Sequence, residues 1–174
     1  MRAVPVSILG FFAVVWLVMG LAVAGQISVL PVLAGVAVSA ALLWAAVRAD
    51  RAYRGPALPV AEQARINRLV MWASAAEGVA IFIAVNVLIN LGLGAYQLCA
   101  VAVIVGLHFI PLSRIPRAGL YNVTAAALVG LGVVGCVLPE AVRPLVVGPG
   151  AALICWATAA TVLGRWRLPA RAAA

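Results

Sequence analysis

Apolar residues occur in six long runs that short polar or basic segments separate. The runs cover about residues 4–24, 29–47, 69–93, 97–112, 118–138 and 146–164. An α-helix needs roughly 20 residues to cross about 30 Å of hydrocarbon, and most of the runs reach that length. None shows the period-two alternation of a barrel strand. The pattern predicts an all-α fold, in which residues 1–174 form a single transmembrane helix bundle of six spans arranged as three hairpins.

The composition agrees with lipid as the solvent of this chain. Hydrophobic residues make up 67% of it and charged residues 9%, against roughly 25% charged residues in soluble domains. The net charge is +8, but the basic residues flank the apolar runs and form no stripe with exposed aromatic residues. We therefore expect a lipid bilayer as the partner and no nucleic acid.

The arginines predict which way the chain is oriented. With the N-terminus inside, eleven of the twelve arginines lie in the inner segments, many of them in a long loop at 48–68, and the outer turns hold only Arg143. Basic residues concentrate in the cytoplasmic loops of membrane proteins. We expect both termini and the loop 48–68 on the cytoplasmic side of the cell membrane of a bacterium.

The first run imitates a secretory signal peptide. Arg2 precedes an apolar stretch that ends in the A-x-A sequence of residues 22–24. A stretch of about 20 residues is long for a signal core, which has about 7–15 residues. We therefore expect the first run to be kept as a membrane helix.

Small residues recur at four-residue spacing, which lets helix backbones approach closely. The pairs are Gly35 with Ser39, Ala126 with Gly130, Gly148 with Ala152, and Ala160 with Gly164. These faces are expected to pack against other helices of the chain, a second copy of it, or a partner membrane protein.

Sequence motifs for metals, cofactors and catalysis are mostly missing. Cys99, Cys136 and Cys155 are widely spaced and form no zinc-binding pattern, although Cys99 and Cys136 both lie near outer helix ends, where a bridge is geometrically open. A single histidine excludes bis-histidine haem ligation within one chain. There is no zinc-protease, nucleophile-elbow or phosphate-loop motif. We expect no metal and no cofactor, and we favour a function other than catalysis.

Two titratable residues lie within the predicted spans at similar depth. Glu77 is about eight residues into its span, or roughly 12 Å at 1.5 Å per residue. His108, the only histidine, lies about five residues before the inner end of the next, antiparallel span. A charged carboxylate in lipid needs a partner or a proton. The two residues are candidates for a site that relays protons, binds a cation or holds a polar ligand, and the alternative is a structural pair that pins two helices together.

Other polar residues could line a pocket near that site: Ser74, Asn86, Asn90 and Asn122. Asn86 and Asn90 share one helix face because they are four residues apart. Nine residues separate Glu77 from Asn86, which places them on opposite faces at 100° per residue. The third helix should then have protein or water on two sides, and we expect it at the centre of the bundle.

The middle hairpin resembles small bacterial multi-pass membrane proteins. The similarity rests on Glu77-Gly78-Val79-Ala80-Ile81-Phe82 and on Val105-Gly106-Leu107-His108-Phe109-Ile110-Pro111-Leu112. It implies only that Glu77 and His108 belong together, and it transfers no activity.

Two functions follow from these features. The first is transport of a small solute or ion, or ligand binding, at a polar site between the third and fourth helices. The alternative is an accessory or scaffolding subunit that packs against a larger membrane complex through its small-residue faces. A hydrated site at Glu77 would favour the first function, and a solidly packed hairpin would favour the second.

Overall fold

The structure is a computed structural model that describes residues 3–52, 58–115 and 118–167. Its helices are α1 (Ala3–Val23), α2 (Val29–Ala52), α3 (Val60–Asn90), α4 (Gln97–Leu112), α5 (Leu120–Val137) and α6 (Arg143–Arg167). No strand occurs in the described residues. All six helices, with the 3₁₀ turn Gly94–Tyr96 counted as part of α4, are long and apolar enough to cross a membrane. The prediction of an all-α, multi-pass membrane protein is confirmed.

Two of the helices end at a glycine whose backbone is left-handed. Gly25 follows α1 with φ +65°, and Gly92 follows α3 with φ +70°. In each turn the next amide donates to a carbonyl five residues back, Gln26 N to Leu21 O and Leu93 N to Leu88 O. This is the Schellman motif, which pairs the last carbonyls of a helix within the turn. It reverses the chain in a few residues, so α1–α2 and α3–α4 are hairpins.

The centre of the bundle is the pair α1 and α6. These two helices make the most extensive helix–helix contact in the molecule, and α5 with α4 makes the next. Helix α6 also touches α2, α4 and α5. The core side chains come mainly from α1, α4, α5 and α6, among them Trp16, Leu128 and Val147. Helix α2 contributes Gly35 and Ala46 to the buried set, and α3 contributes no residue.

Glycine allows the central helices to touch backbone to backbone. A Cβ built on Gly20 of α1 would lie 2.7 Å from Cα of Gly148 in α6 and 2.7 Å from the Pro144 carbonyl oxygen. A Cβ on Gly132 of α5 would lie 2.7 Å from the carbonyl oxygen of Cys99 in α4. Side chains at these positions would force the helices apart, so close approach depends on glycine there.

The small-residue pairs divide into two groups. Gly35 packs below the Trp156 ring and the Leu17 side chain, and Gly148 and Ala152 are buried against α1. The expectation of close packing is confirmed for them. Gly130 and Gly164, in contrast, have nothing within 4 Å of a built Cβ, so for these two the expectation of packing within the chain is wrong.

Much of the segment that the sequence predicts as the loop 48–68 is helical. Helix α2 continues to Ala52, and α3 begins at Val60, so the polar run at 62–68 forms a helix that leads into the third span, as its composition permits. Local pairs support these turns of α3, since Gln63 Nε2 donates to Asn67 Oδ1 at 2.8 Å and Arg65 pairs with Glu62 at 3.2 Å. Such pairs three and four residues apart stabilise an exposed helix. Gly55 and Pro56 predict a break between the two helices, but residues 53–57 lie outside the described residues.

Helix α3 is not at the centre of the bundle, and that expectation is wrong. It packs along α4 and the turn at 94–96, and none of its residues is buried. The expectation took polar residues on two faces of α3, which need protein or water on both sides, as a sign of a central position. Packing instead followed the glycine-rich faces of α1, α4, α5 and α6, which can approach more closely than α3 can.

Candidate functional site

Glu77 and His108 face each other across the α3–α4 hairpin. The tight turn after α3 makes the two helices antiparallel, so residues far apart in sequence reach the same depth. Glu77 lies on the packed stripe of α3 together with Ala73 and Ala80, and all three residues are partly buried. Alanine at both positions keeps the two helix backbones close enough for the longer Glu77 side chain to reach α4.

The carboxylate and the imidazole are within ion-pair distance. Nδ1 of His108 lies 3.4 Å from Oε2 of Glu77, and the side chains are 11% and 20% exposed, respectively. No hydrogen bond joins the two groups, and His108 Nδ1 is buried without a hydrogen-bond partner. The two groups are therefore neighbours whose hydrogen-bonding capacity is not fully used. A small rotation of either side chain would allow a hydrogen bond between them, and a small polar ligand between the two groups could bond to both.

The other predicted pocket residues do not gather around this pair. Ser74, Asn86 and Asn90 are exposed on α3, and Asn122 is exposed on α5. Asn86 donates from Nδ2 to the Phe82 carbonyl oxygen of its own helix at 2.7 Å. The described residues thus show a two-residue contact, with the other four polar side chains dispersed over the surface.

Two cysteines come together at the outer end of α4 and α5. The thiols of Cys99 and Cys136 interact, and Gly135 brings the end of α5 against the Cys99 sulfur. Both are free thiols, with Cys99 buried and Cys136 exposed. Their sequence positions indicated this proximity, and the structure shows no bond between them.

Arg143 is a buried residue that the sequence analysis treated only as an exception to the charge bias. It is 5% exposed and begins α6. Its guanidinium donates to the carbonyl oxygens of Gly135 at 3.1 Å, Ala95 at 3.1 Å and Leu138 at 3.0 Å, and it stacks over Tyr96 at 4.1 Å. Arginine binds α5, α6 and the outer turn of the middle hairpin together because its donors point in three directions. The available signal was that Arg143 is the only arginine outside the segments predicted to be cytoplasmic.

A second polar contact joins three helices within the membrane. Trp156 Nε1 of α6 donates to Ser39 Oγ of α2 at 2.9 Å, and Ser39 Oγ donates to the Gly10 carbonyl oxygen of α1 at 2.9 Å. Beside it, α1 and α2 enclose an open groove of about 300 Å³ that is mostly apolar, with Ser7 and Phe11 on one wall. Every polar atom named here has a hydrogen-bond partner, so this cluster holds the three helices together and leaves no polar group free for a ligand.

No protein-family model, no curated protein and no solved structure matches this chain.

Proposed function

We propose that this multi-pass membrane protein binds and transfers a small cation or polar solute in exchange for a proton at Glu77 and His108. The observation that carries the proposal is the 3.4 Å separation of His108 Nδ1 and Glu77 Oε2 within the membrane-spanning part of the hairpin. Ionisable residues at such depth are rare and are most often part of ion or proton pathways.

The pair can exist in three charge states. With both groups deprotonated it is negative, with one proton it is neutral, and with two protons it is positive. The low dielectric of the membrane favours the neutral state. A cation that binds the Glu77 carboxylate keeps the site neutral only if the proton leaves. Binding of a cation and release of a proton are then linked through charge alone.

The packing of α3 supports access to this pair. Within the described residues α3 rests on α4 and the 94–96 turn, so only one helix interface separates the pair from the surroundings of α3. Both side chains keep a small exposed fraction. A shift of α3 would open the site without disturbing the α1–α6 core.

Proton exchange in vesicles tests the proposal. Purified protein is placed in lipid vesicles that hold a pH-sensitive dye, and Na⁺ or K⁺ is added outside. We expect wild type to release protons from the lumen on addition of at least one of the two ions. Glu77→Gln should abolish the response, and His108→Gln should reduce it at least tenfold, because each removes a group that holds the exchanged proton.

Glu62→Gln is the matched control. It removes the same charge from the same helix, but Glu62 pairs with Arg65 outside the apolar span. Its proton response should equal that of wild type. A Glu77→Gln variant that responds like wild type would contradict the proposed function.

We also propose that the termini and the segment between α2 and α3 face the cytoplasm of a bacterium. The distribution of arginines supports this orientation, with eleven of twelve on that side. The α3 extension adds the exposed Arg65 and Arg68 to the same side. Glu77 and His108 then open toward the inner half of the membrane.

Cysteine labelling tests that orientation. In a chain whose native cysteines are replaced, Gln63→Cys in intact cells should react with a membrane-impermeant maleimide only after the inner face is opened. Gln26→Cys, in the turn between α1 and α2, should react without opening and serves as the control. Reaction of Gln63→Cys in intact cells, without opening, would show that the protein has the opposite orientation.

An accessory or scaffolding subunit is the second candidate function. The outward small-residue faces support it, since Ala126 and Gly130 on α5 and Ala160 and Gly164 on α6 are exposed. A partner helix could approach α5 and α6 closely at these positions. This function predicts a stoichiometric partner protein in gently solubilised membranes and vesicles of the purified chain that do not respond to cations.

A further inference from the structure

The face of α3 that points away from α4 carries an asparagine within the apolar span. Asn86 lies four residues before the end of α3, or about 6 Å inside it at 1.5 Å per residue. Its amide forms one hydrogen bond, to the Phe82 carbonyl oxygen of its own helix, and within the described residues it has no other. A carboxamide with unused donor and acceptor groups is costly against hydrocarbon. Some other surface should cover it in the membrane.

Asn86 belongs to a continuous outer seam of α3. We define this seam by six exposed residues that are spaced alternately four and three apart: Trp72, Ala76, Val79, Ile83, Asn86 and Asn90. No residue of α3 is buried, so the described part of the chain leaves the seam uncovered. Positions with this spacing face a second helix when two helices cross at a small angle.

We propose that the outer seam of α3 is the contact surface for a second copy of this chain. Copies in one membrane share the same orientation, so a two-fold axis along the membrane normal brings Asn86 opposite Asn86 of the second copy at equal depth. The carboxamide is self-complementary, because each Nδ2 can donate to the Oδ1 of the other. Asparagine at such a position pairs parallel helices and sets their register.

The charges of α3 set the inner limit of this contact. Toward the start of α3, steps of four and then three residues from Trp72 reach Arg68 and Arg65, which are exposed. Two copies packed closely there would oppose like charges, so the helices should diverge below Trp72. Glu77 lies on the other side of α3, against α4. The dimer is therefore independent of the proposed function.

Cross-linking in native membranes tests the surface. In a chain whose native cysteines are replaced, Val79→Cys and Ile83→Cys should give a disulfide-linked dimer on mild oxidation. The control is Leu107→Cys, because Leu107 is 50% exposed on α4 and away from the seam. It should stay monomeric under the same conditions.

A second experiment tests the role of Asn86 in association. The dissociation constant of the dimer in lipid vesicles is measured by energy transfer between labelled copies. Loss of an interhelical asparagine pair should weaken association about three- to thirtyfold, so Asn86→Leu should raise the constant by that factor. Asn122→Leu makes the same change at an exposed position of α5 and should leave the constant unchanged. Under conditions that keep the chain monomeric, melting of both variants should match wild type, because within the described residues Asn86 bonds only its own helix.

The results of the cross-linking and association experiments can be told apart from those of the proton-exchange experiment. Wild type that is monomeric in vesicles, with no cross-link at Val79→Cys, would overturn the dimer. A cross-link at Val79→Cys to a different membrane protein, with no homodimer, would also overturn it and assign the seam to that partner. Loss of dimerisation in Asn86→Leu with proton exchange intact would support the dimer and leave the proposed function standing.

Discussion

Gly20→Leu is expected to lower the free energy of unfolding by about 3 kcal/mol, at the upper end of the range for overpacked cores. A Cβ at this position would already lie 2.7 Å from Cα of Gly148 and 2.7 Å from the Pro144 carbonyl oxygen. Both neighbours are backbone atoms, which cannot rotate away as a side chain can. The α1–α6 contact must therefore separate, and it is the most extensive in the molecule. Reversible unfolding in mixed detergent micelles measures the loss.

Gly130→Leu is the matched control for this change. It introduces the same side chain into another membrane helix, but a Cβ there meets nothing within 4 Å. Its stability should be equal to that of wild type or higher by up to about 1 kcal/mol, since leucine favours the helix more than glycine does. A Gly20→Leu variant that is as stable as wild type would mean that α1 and α6 do not touch at Gly20.

Glu77→Gln and His108→Gln are each expected to cost about 1–2 kcal/mol of stability, and the double variant to cost about 1 kcal/mol less than the sum. Breaking a fully buried ion pair costs about 3–5 kcal/mol, while an exposed pair contributes about 0–1 kcal/mol. Side-chain exposures of 11% and 20% place this pair between those limits. The double variant recovers part of the loss because it leaves neither group without its partner.

The measurement is a double-mutant cycle of unfolding, with the infrared carboxyl band of Glu77 followed in the same samples. His108→Gln should shift the frequency of that band, because it replaces the imidazole 3.4 Å away. Glu62→Gln combined with His108→Gln provides an additive control. Additive costs for Glu77 and His108, with an unchanged band, would contradict any interaction between them.

The predictions that agree best with the structure are those that depend only on whether a residue lies in lipid or in water. Continuous apolar runs need lipid, and lipid permits only helices or closed barrels, so the number and class of the spans followed directly. The similar depth of Glu77 and His108 also followed, because depth depends only on the rise per residue and on the direction of each helix. The start of α3 was predicted less accurately, since the helix begins before its apolar run and is supported there by local side-chain pairs such as Glu62 with Arg65.

Which face of a helix is packed, and which helix packs against it, were harder to predict than the depth of a residue in the membrane. The spacing of Glu77 and Asn86 correctly placed them on opposite faces of α3, but it did not place α3 at the centre of the bundle, since none of its residues is buried. Gly35 and Gly130 have the same small-residue pattern, yet one is packed and the other open. Arg143 stood out only by its charge, while its three carbonyl acceptors come from separate segments of the chain.

The sequence by itself determined the class of fold, the six spans and the depth of each polar group, because these depend on hydrophobicity and helix geometry along one chain. Only the tertiary structure decided that α1 and α6 form the core, that α3 lies at the edge, and that Glu77 reaches His108. All membrane helices present similar apolar surfaces to lipid, so hydrophobicity does not select which of them pair. The choice depends on where two surfaces fit closely, as Gly20 fits Gly148, and that is a property of pairs of helices in space.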